Sequence, residues 1–214
     1  LLKNFNLDFI KIPSGEITNY PLLKKISKLK KKILLSTGMA SMKEIKRALK
    51  VLNKKKGDIV ILHCTSDYPA KLSDLNLNFL HKLKKLGYDV GYSDHSSSII
   101  TPSVAVSLGC KIIEKHFTLS KKMNGPDHKA SLEPHQFKAM VKAIRNVERA
   151  LGSHVKKASK SELQNIQVVR KSIVAKTKIK KGDVLSKNNL TVKRPGRGIS
   201  PMKWNEILGT RAKK

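Results

Sequence analysis

Five short apolar runs, DFIKIPSG, KKILLSTG, DIVILHCTS, DVGYSDHS and KIIEKHFTL, recur through the first part of the chain with lysine-rich amphipathic stretches between them. Short apolar segments bounded by Gly, Lys or Asp read as buried strands, and apolar residues returning at helical spacing read as helices with one buried face. The helical stretches are Tyr20 to Leu29, Ser41 to Leu52, Leu75 to Leu86 and Thr101 to Leu108. Strands alternating with helices at this spacing imply parallel βα units, so the fold class is α/β. Five such units do not close an eight-stranded barrel, and a barrel parent would therefore lack about three units upstream. Local signals support the helices: Ser41 with Glu44 forms a capping box, and Ser73 or Asp74 is placed to cap the next helix.

A longer helix is expected from Pro134 to Leu151, with Glu133 near its start and Gly152 as its stop. Residues 1–152 read as one domain. A polar, lysine-rich linker over 153–166 follows, then a separate small, mostly β domain over 167–214 with tight turns at Lys181-Gly182-Asp183 and Pro195-Gly196. The opening at Leu1, without a methionine, reads as the start of a fragment.

The net charge of +30 raises nucleic-acid binding as a function. Composition argues against it, because only seven of the 45 basic residues are arginine, the preferred bidentate reader of phosphate and guanine. The lysines spread over every helix without interleaved aromatics, which reads as a solvated surface whose positive field also attracts small anions. A basic nucleic-acid-binding module remains the alternative from another class. Cys64 and Cys110 each lie in apolar surroundings, which fits a reduced, cytoplasmic setting better than a disulfide scaffold. No signal peptide opens the chain, and no apolar run approaches the roughly 18 residues of a membrane span.

In parallel α/β sheets and barrels the site lies at the carboxyl ends of the strands. Here each polar cluster follows its strand. The first run ends in Lys11, Ser14, Gly15 and Glu16: a lysine aimed at a Ser-Gly turn suits an anion, and Glu16 is placed as a proton acceptor or hydroxyl binder. The second ends in Ser36-Thr37-Gly38-Met39, hydroxyls and glycine suited to phosphate oxygens. In the third, His63 sits within the apolar run and reads as a packed core residue, leaving Ser66 and Tyr68 to touch substrate. The fourth and fifth end in Ser93-Asp94-His95 and Glu114-Lys115-His116, with Asp127 after a Gly125-Pro126 turn. His95 and His116 stand 21 residues apart, too far for one helix face but suited to neighbouring strand tips joined by a helix. Two converging imidazoles can hold a divalent ion and leave positions for substrate oxygens. A pair of hydrogen-bonded surface histidines is the other reading. The set suits a phosphorylated or carboxylated substrate beside a metal that polarises a carbonyl for carbon–carbon bond formation. A sugar- or phosphate-binding relic of the same fold is a third possibility.

Seven ordered motifs carry a resemblance: Lys11-Ile12-Pro13-Ser14-Gly15-Glu16, Leu35-Ser36-Thr37-Gly38-Met39, Leu62-His63-Cys64-Thr65 through Tyr68-Pro69, Gly91-Tyr92-Ser93-Asp94-His95, Glu114-Lys115-His116-Phe117-Thr118, Gly125-Pro126-Asp127 and Lys193-Arg194-Pro195-Gly196. From about Asp8 to Gly209 the chain resembles the N-acetylneuraminate (sialic acid) synthase family, with its legionaminate and pseudaminate branches. The resemblance implies a partial TIM (β/α)8 barrel followed by an antifreeze-like (SAF) domain. It implies condensation of phosphoenolpyruvate with an N-acetylated hexosamine, releasing phosphate. By the same resemblance, His95 and His116 would bind Mn2+, with Mg2+ or Co2+ as other occupants. Lys11, Ser14, Ser36, Ser66 and Ser93 would hold phosphoenolpyruvate, and Glu16, Tyr68 and Asp127 would contact the sugar, with Glu16 moving protons. Members of the family are domain-swapped homodimers, so Arg194 would reach the sugar's N-acetyl region in the other subunit. Ser66 stands where some members carry asparagine, and the family's first barrel units and the last piece of its SAF domain are not matched.

Overall fold

The structure, a computed structural model, describes residues 7–213. The chain divides into two compact units, residues 1–152 and 153–214. In the first, strands β1 (Phe9–Ile12), β2 (Lys32–Ser36), β3 (Ile59–Cys64), β4 (Asp89–Asp94) and β5 (Ile112–Lys115) form one parallel sheet in sequential order. Helices α1 (Tyr20–Ser27), α2 (Met42–Leu52), α3 (Phe79–Lys84) and α4 (Thr101–Ser107) supply the crossovers, and α5 (Pro134–Leu151) follows β5. The five expected βα units are all present.

The sheet is curled. Strands pair about 4.8 Å apart, so the edges of a flat five-stranded sheet would stand roughly 19 Å from each other, beyond the joint reach of a lysine and a glutamate. Yet Lys11 on edge strand β1 and Glu114 on edge strand β5 meet at 2.7 Å. The result is a half-barrel whose concave face carries one side-chain parity and whose convex face carries the other. The register Ile33↔Ile59 and Leu35↔Ile61 puts these four on the convex side, in one core with Ile45, Ala48, Leu49 and Leu52 of α2. Those α2 positions recur at the three- and four-residue spacing of a single helix face. On the concave side Gly91 is crowded: a Cβ there would stand 2.7 Å from the Ile112 carbonyl and 2.4 Å from the Leu62 side chain.

The capping box of α2 forms as expected, Glu44 N donating to Ser41 Oγ at 3.3 Å and Ser41 N to Glu44 Oε2 at 2.7 Å. The helix expected from Leu75 differs. Leu72–Asp74 makes only a short 3-10 turn, and α3 starts at Phe79 behind Asn78, which gives no side-chain cap. Asn76 explains the break, because its left-handed φ of 42° cannot continue a right-handed helix.

In the second unit, α6 (Lys160–Val169) occupies much of the stretch read as linker. Ser159 and Glu162 form a capping box at its start, a signal that the lysine content masked. Strands β6 (Ser172–Ala175) and β7 (Leu190–Lys193) pair antiparallel. The turn at Lys181-Gly182-Asp183 is closed by Asp183 N donating to Lys180 O at 3.0 Å, with Gly182 at a φ of 89°. Among the described residues no helix is long and apolar enough to cross a membrane.

Candidate active site

A cleft of about 470 Å³ opens at the carboxyl ends of β1 to β5. Eight of the eleven residues expected in a site line it: Lys11, Ser14, Ser36, Ser66, Tyr68, Ser93, His95 and His116. Strand alternation explains the gathering. Lys11 pairs with Leu34, Cys64 with Ser93 and Ser93 with Glu114, so these residues share the concave parity. His95 and His116 lie two residues beyond Ser93 and Glu114 and point the same way.

The floor is close-packed around Gly38. Its backbone N–H donates to Ser14 Oγ at 3.0 Å, and Ser14 Oγ lies 3.0 Å from Cys64 Sγ. A Cβ on Gly38 would come within 2.1 Å of Ser66 Oγ and 2.8 Å of Ser14 Oγ, so only glycine lets these hydroxyls converge. Beside them the buried Ser36 Oγ has no hydrogen-bond partner among the described residues. A buried hydroxyl left unpaired is costly, and the cleft is where a ligand oxygen would meet it.

Glu114, part of the fifth strand's motif but not among the expected site residues, is the carboxylate that lines the cleft. Lys11 Nζ donates to both of its carboxylate oxygens at 2.7 Å, and Ser93 Oγ donates to Oε1 at 2.6 Å. Burial works to raise the Glu114 pKa, but the hydrogen bonds from Lys11 and Ser93 outweigh it and hold the carboxyl below its usual range. Its place two residues before His116 on β5 was the available signal, because that spacing puts both on one face of a strand.

His95 Nδ1 lies 2.7 Å from the Thr65 carbonyl, which fixes the proton on Nδ1 and leaves the Nε2 lone pair toward the cleft. Ser93 Oγ stands 3.2 Å from that Nε2 but has already given its proton to Glu114. Burial pushes the His95 pKa down, favouring the neutral ring that a metal requires. The His116 ring stands edge-on to it at 5.5 Å and 84°. Tyr68 stacks on His95 at 4.2 Å and meets His116 edge-on at 5.4 Å. An oriented lone pair with a second imidazole beside it fits a divalent ion. No group of three or more His, Cys, Asp or Glu placed for a metal occurs among the described residues, so further ligands would be water or substrate oxygens.

Three expected residues lie elsewhere. Glu16 closes the 3-10 turn Ser14–Glu16 just beyond the cleft-lining Gly15, its carboxylate accepting from Asn19. Asp127 flanks the cleft, its Oδ2 3.9 Å from His116 Nδ1. Arg194 belongs to the second unit, where its Nε donates to the Val169 carbonyl at 2.9 Å. His63 is packed as expected, on the convex face between the rings of Phe79 and Tyr92, with Nε2 2.7 Å from the Leu75 carbonyl.

A curled parallel sheet whose hydroxyls, ammonium and imidazoles converge at the strand carboxyl ends defines a protein of the TIM-barrel class with a polar cleft at its mouth. Residues 1–156 match the NeuB family and residues 170–214 match the SAF domain. The chain belongs to the NeuB family. It is 55% identical to an N,N'-diacetyllegionaminic acid synthase of Campylobacter jejuni, over the whole of this chain and 65% of that protein. It is 39% identical to a pseudaminic acid synthase of the same species, again over the whole chain and 62% of the relative. The solved N-acetylneuraminic acid (sialic acid) synthetase of Leptospira borgpetersenii superposes with a TM-score of 0.71 at 36% identity, covering 77% of this chain and 58% of that one. The chain thus spans a little under two thirds of the length of the curated relatives it matches.

Proposed function

We propose that the cleft is the active site of a nonulosonic acid synthase, which condenses phosphoenolpyruvate with an open-chain N-acetylated mannosamine-type sugar and releases phosphate. The observation that carries this reading is the unpartnered buried Ser36 hydroxyl, set in one cleft with Lys11, Ser14, Ser66, Ser93 and two imidazoles. A phosphate or carboxylate would supply an acceptor to the Ser36 hydroxyl and the neighbouring hydroxyls and, by exchanging with Glu114, to Lys11. The relatives' activities support the same reading, and the higher identity to the legionaminic acid synthase favours that branch over the pseudaminic one.

In this reading Lys11 and the four serines hold the phosphoenolpyruvate oxygens. C3 of phosphoenolpyruvate attacks the sugar's aldehyde carbon, forming the new carbon–carbon bond, and the aldehyde oxygen takes up a proton. Water then adds to the cationic C2 and gives up one proton. As the C2–O bond breaks and phosphate leaves with the bonding pair, the new C2 hydroxyl loses its remaining proton and C2 becomes the product's ketone. Glu16 serves the proton transfers from the rim, and Tyr68 and Asp127 contact the sugar. Glu114 holds Lys11 in place before the anion arrives. A divalent ion, best Mn2+ with Mg2+ or Co2+ as alternatives, would be held by His95 and His116 and would polarise the sugar carbonyl. Arg194 would act on the partner's cleft in a domain-swapped homodimer, and the setting is the cytoplasm.

The test is phosphate release from phosphoenolpyruvate with Mn2+, comparing N-acetylmannosamine with its 6-deoxy diacetamido relatives. Release with one of these sugars supports the synthase and names its branch. A folded, metal-loaded sample that releases none with any of them overturns the reading.

A further inference from the structure

On the convex side of the β4–β5 ladder, behind the cleft, Asp94 and Lys115 face each other in register. Their side chains are 0% and 1% exposed, and Lys115 Nζ lies 2.8 Å from Asp94 Oδ2. Asp94 Oδ1 also accepts from the Tyr92 hydroxyl at 3.1 Å and from Ser96 N at 2.8 Å, and Oδ2 accepts from Thr101 Oγ1 at 2.8 Å. Lys115 gives its remaining protons to the backbone carbonyls of Ser96 and Ser98, the latter at 3.2 Å. The ammonium has three acceptors and the carboxylate four donors, the degree of satisfaction that a sealed charge pair requires.

Holding two strands together does not call for charge. A well-packed apolar pair of the same volume does so as well or better. What the polar atoms add is a grip on specific backbone: Ser96 and Ser98 form the turn immediately after His95. The neighbours on each strand matter equally. Asp94 lies between Ser93 and His95, and Lys115 between Glu114 and His116, and alternation sends all four flanking side chains into the cleft.

We propose that Asp94 and Lys115 are a positioning pair for this site: by locking the ends of β4 and β5 in register and clamping the turn after His95, they fix the separation and angle of the His95 and His116 rings. The inference rests on reading the cleft as the functional site.

The test uses Lys115→Met, the paired Asp94→Asn/Lys115→Met and the milder Thr101→Val, each followed by thermal unfolding, by the ring resonances of His95 and His116 in metal-free protein, and by Mn2+ titration through water-proton relaxation. Lys115→Met should displace both imidazole resonances and weaken Mn2+ binding about tenfold, the lower end of the range for groups that orient metal ligands. The paired variant should regain thermal stability without regaining the resonances or the affinity, a separation that a purely structural pair would not show. If Lys115→Met does not fold, the paired variant and Thr101→Val carry the same reading. A folded paired variant with unaltered ring resonances and full Mn2+ affinity overturns the proposal. Should the unmodified protein take up no Mn2+, the metal in the proposed function fails, and the ring resonances alone decide the positioning role.

Discussion

Lys11–Glu114 and Lys115–Asp94 are both lysine–carboxylate pairs closed to under 3 Å, and both have one partner on β5. They lie on opposite faces of it. The cleft pair keeps its side chains 31% and 38% exposed, whereas the convex pair is sealed at 1% and 0%. Solvent access decides what each can do. In the open pair water can replace either partner, so an incoming anion can compete for Lys11 at little cost. In the sealed pair no water replaces a lost partner, so removing one leaves a bare charge. One strand thus carries an exchangeable contact on its cleft face and a permanent one behind it.

The largest effect that would sharpen this contrast is on stability. Lys115→Met should cost about 3–5 kcal/mol in urea unfolding, with most of it returned in Asp94→Asn/Lys115→Met. A loss below about 1 kcal/mol would make the two pairs equivalent and break the comparison. Next comes Lys11→Met, whose unfolding free energy should stay within about 1 kcal/mol of the parent's. Its kcat/KM for phosphate release should fall roughly 10- to 100-fold, the loss of a charged hydrogen bond to substrate. Intact activity would show that Lys11 serves Glu114 alone.

Ser36→Ala should be smaller still. Because its hydroxyl has no partner, stability should hold or rise slightly, while the KM for phosphoenolpyruvate rises by the equivalent of about 0.5–1.5 kcal/mol. A clear drop in stability would mean that the hydroxyl is already satisfied in the free protein. The smallest expected effect is a pH dependence. Glu114 has a folded-state pKa below its unfolded value, so its stabilising contribution is present above about pH 4.3 and is lost as pH falls through the lowered folded value. The stability difference between the parent and Glu114→Gln at pH 7 should therefore begin to shrink as pH falls below about 4.3. A difference that persists unchanged at pH 3 would rule out the ionised carboxylate as its source.

Legibility followed the range of the interactions involved. The five strands and the capping box of α2 were readable because apolar periodicity and an i, i+3 cap are local patterns. So was the core place of His63, embedded in an apolar run. The start of α3 was not, since the left-handed Asn76 that breaks the helix leaves no distinct mark in LSDLNLNF. The helix α6 departs from expectation for the opposite reason: its cap is plain in ASKSELQ, but its lysine content reads as a linker. In the cleft, eight of the expected residues come together because each lies at or just beyond the carboxyl end of one of the five strands. Glu114 stood inside a recognised motif, but its bond to Lys11 spans 103 residues and no local pattern announces it.

By itself, the sequence determined the alternation of strands and helices, the polar character of every strand end and the parity that sends Ser93, His95, Glu114 and His116 one way and Asp94 and Lys115 the other. These follow from backbone geometry, which repeats every two residues in a strand whatever surrounds it. The tertiary structure alone decided that the sheet curls far enough for its two edges to meet through Lys11 and Glu114. It also decided that one of two chemically similar ion pairs is open to water and the other sealed. Curvature and burial arise only when distant segments pack, and they set the local dielectric on which the behaviour of every one of these charges depends.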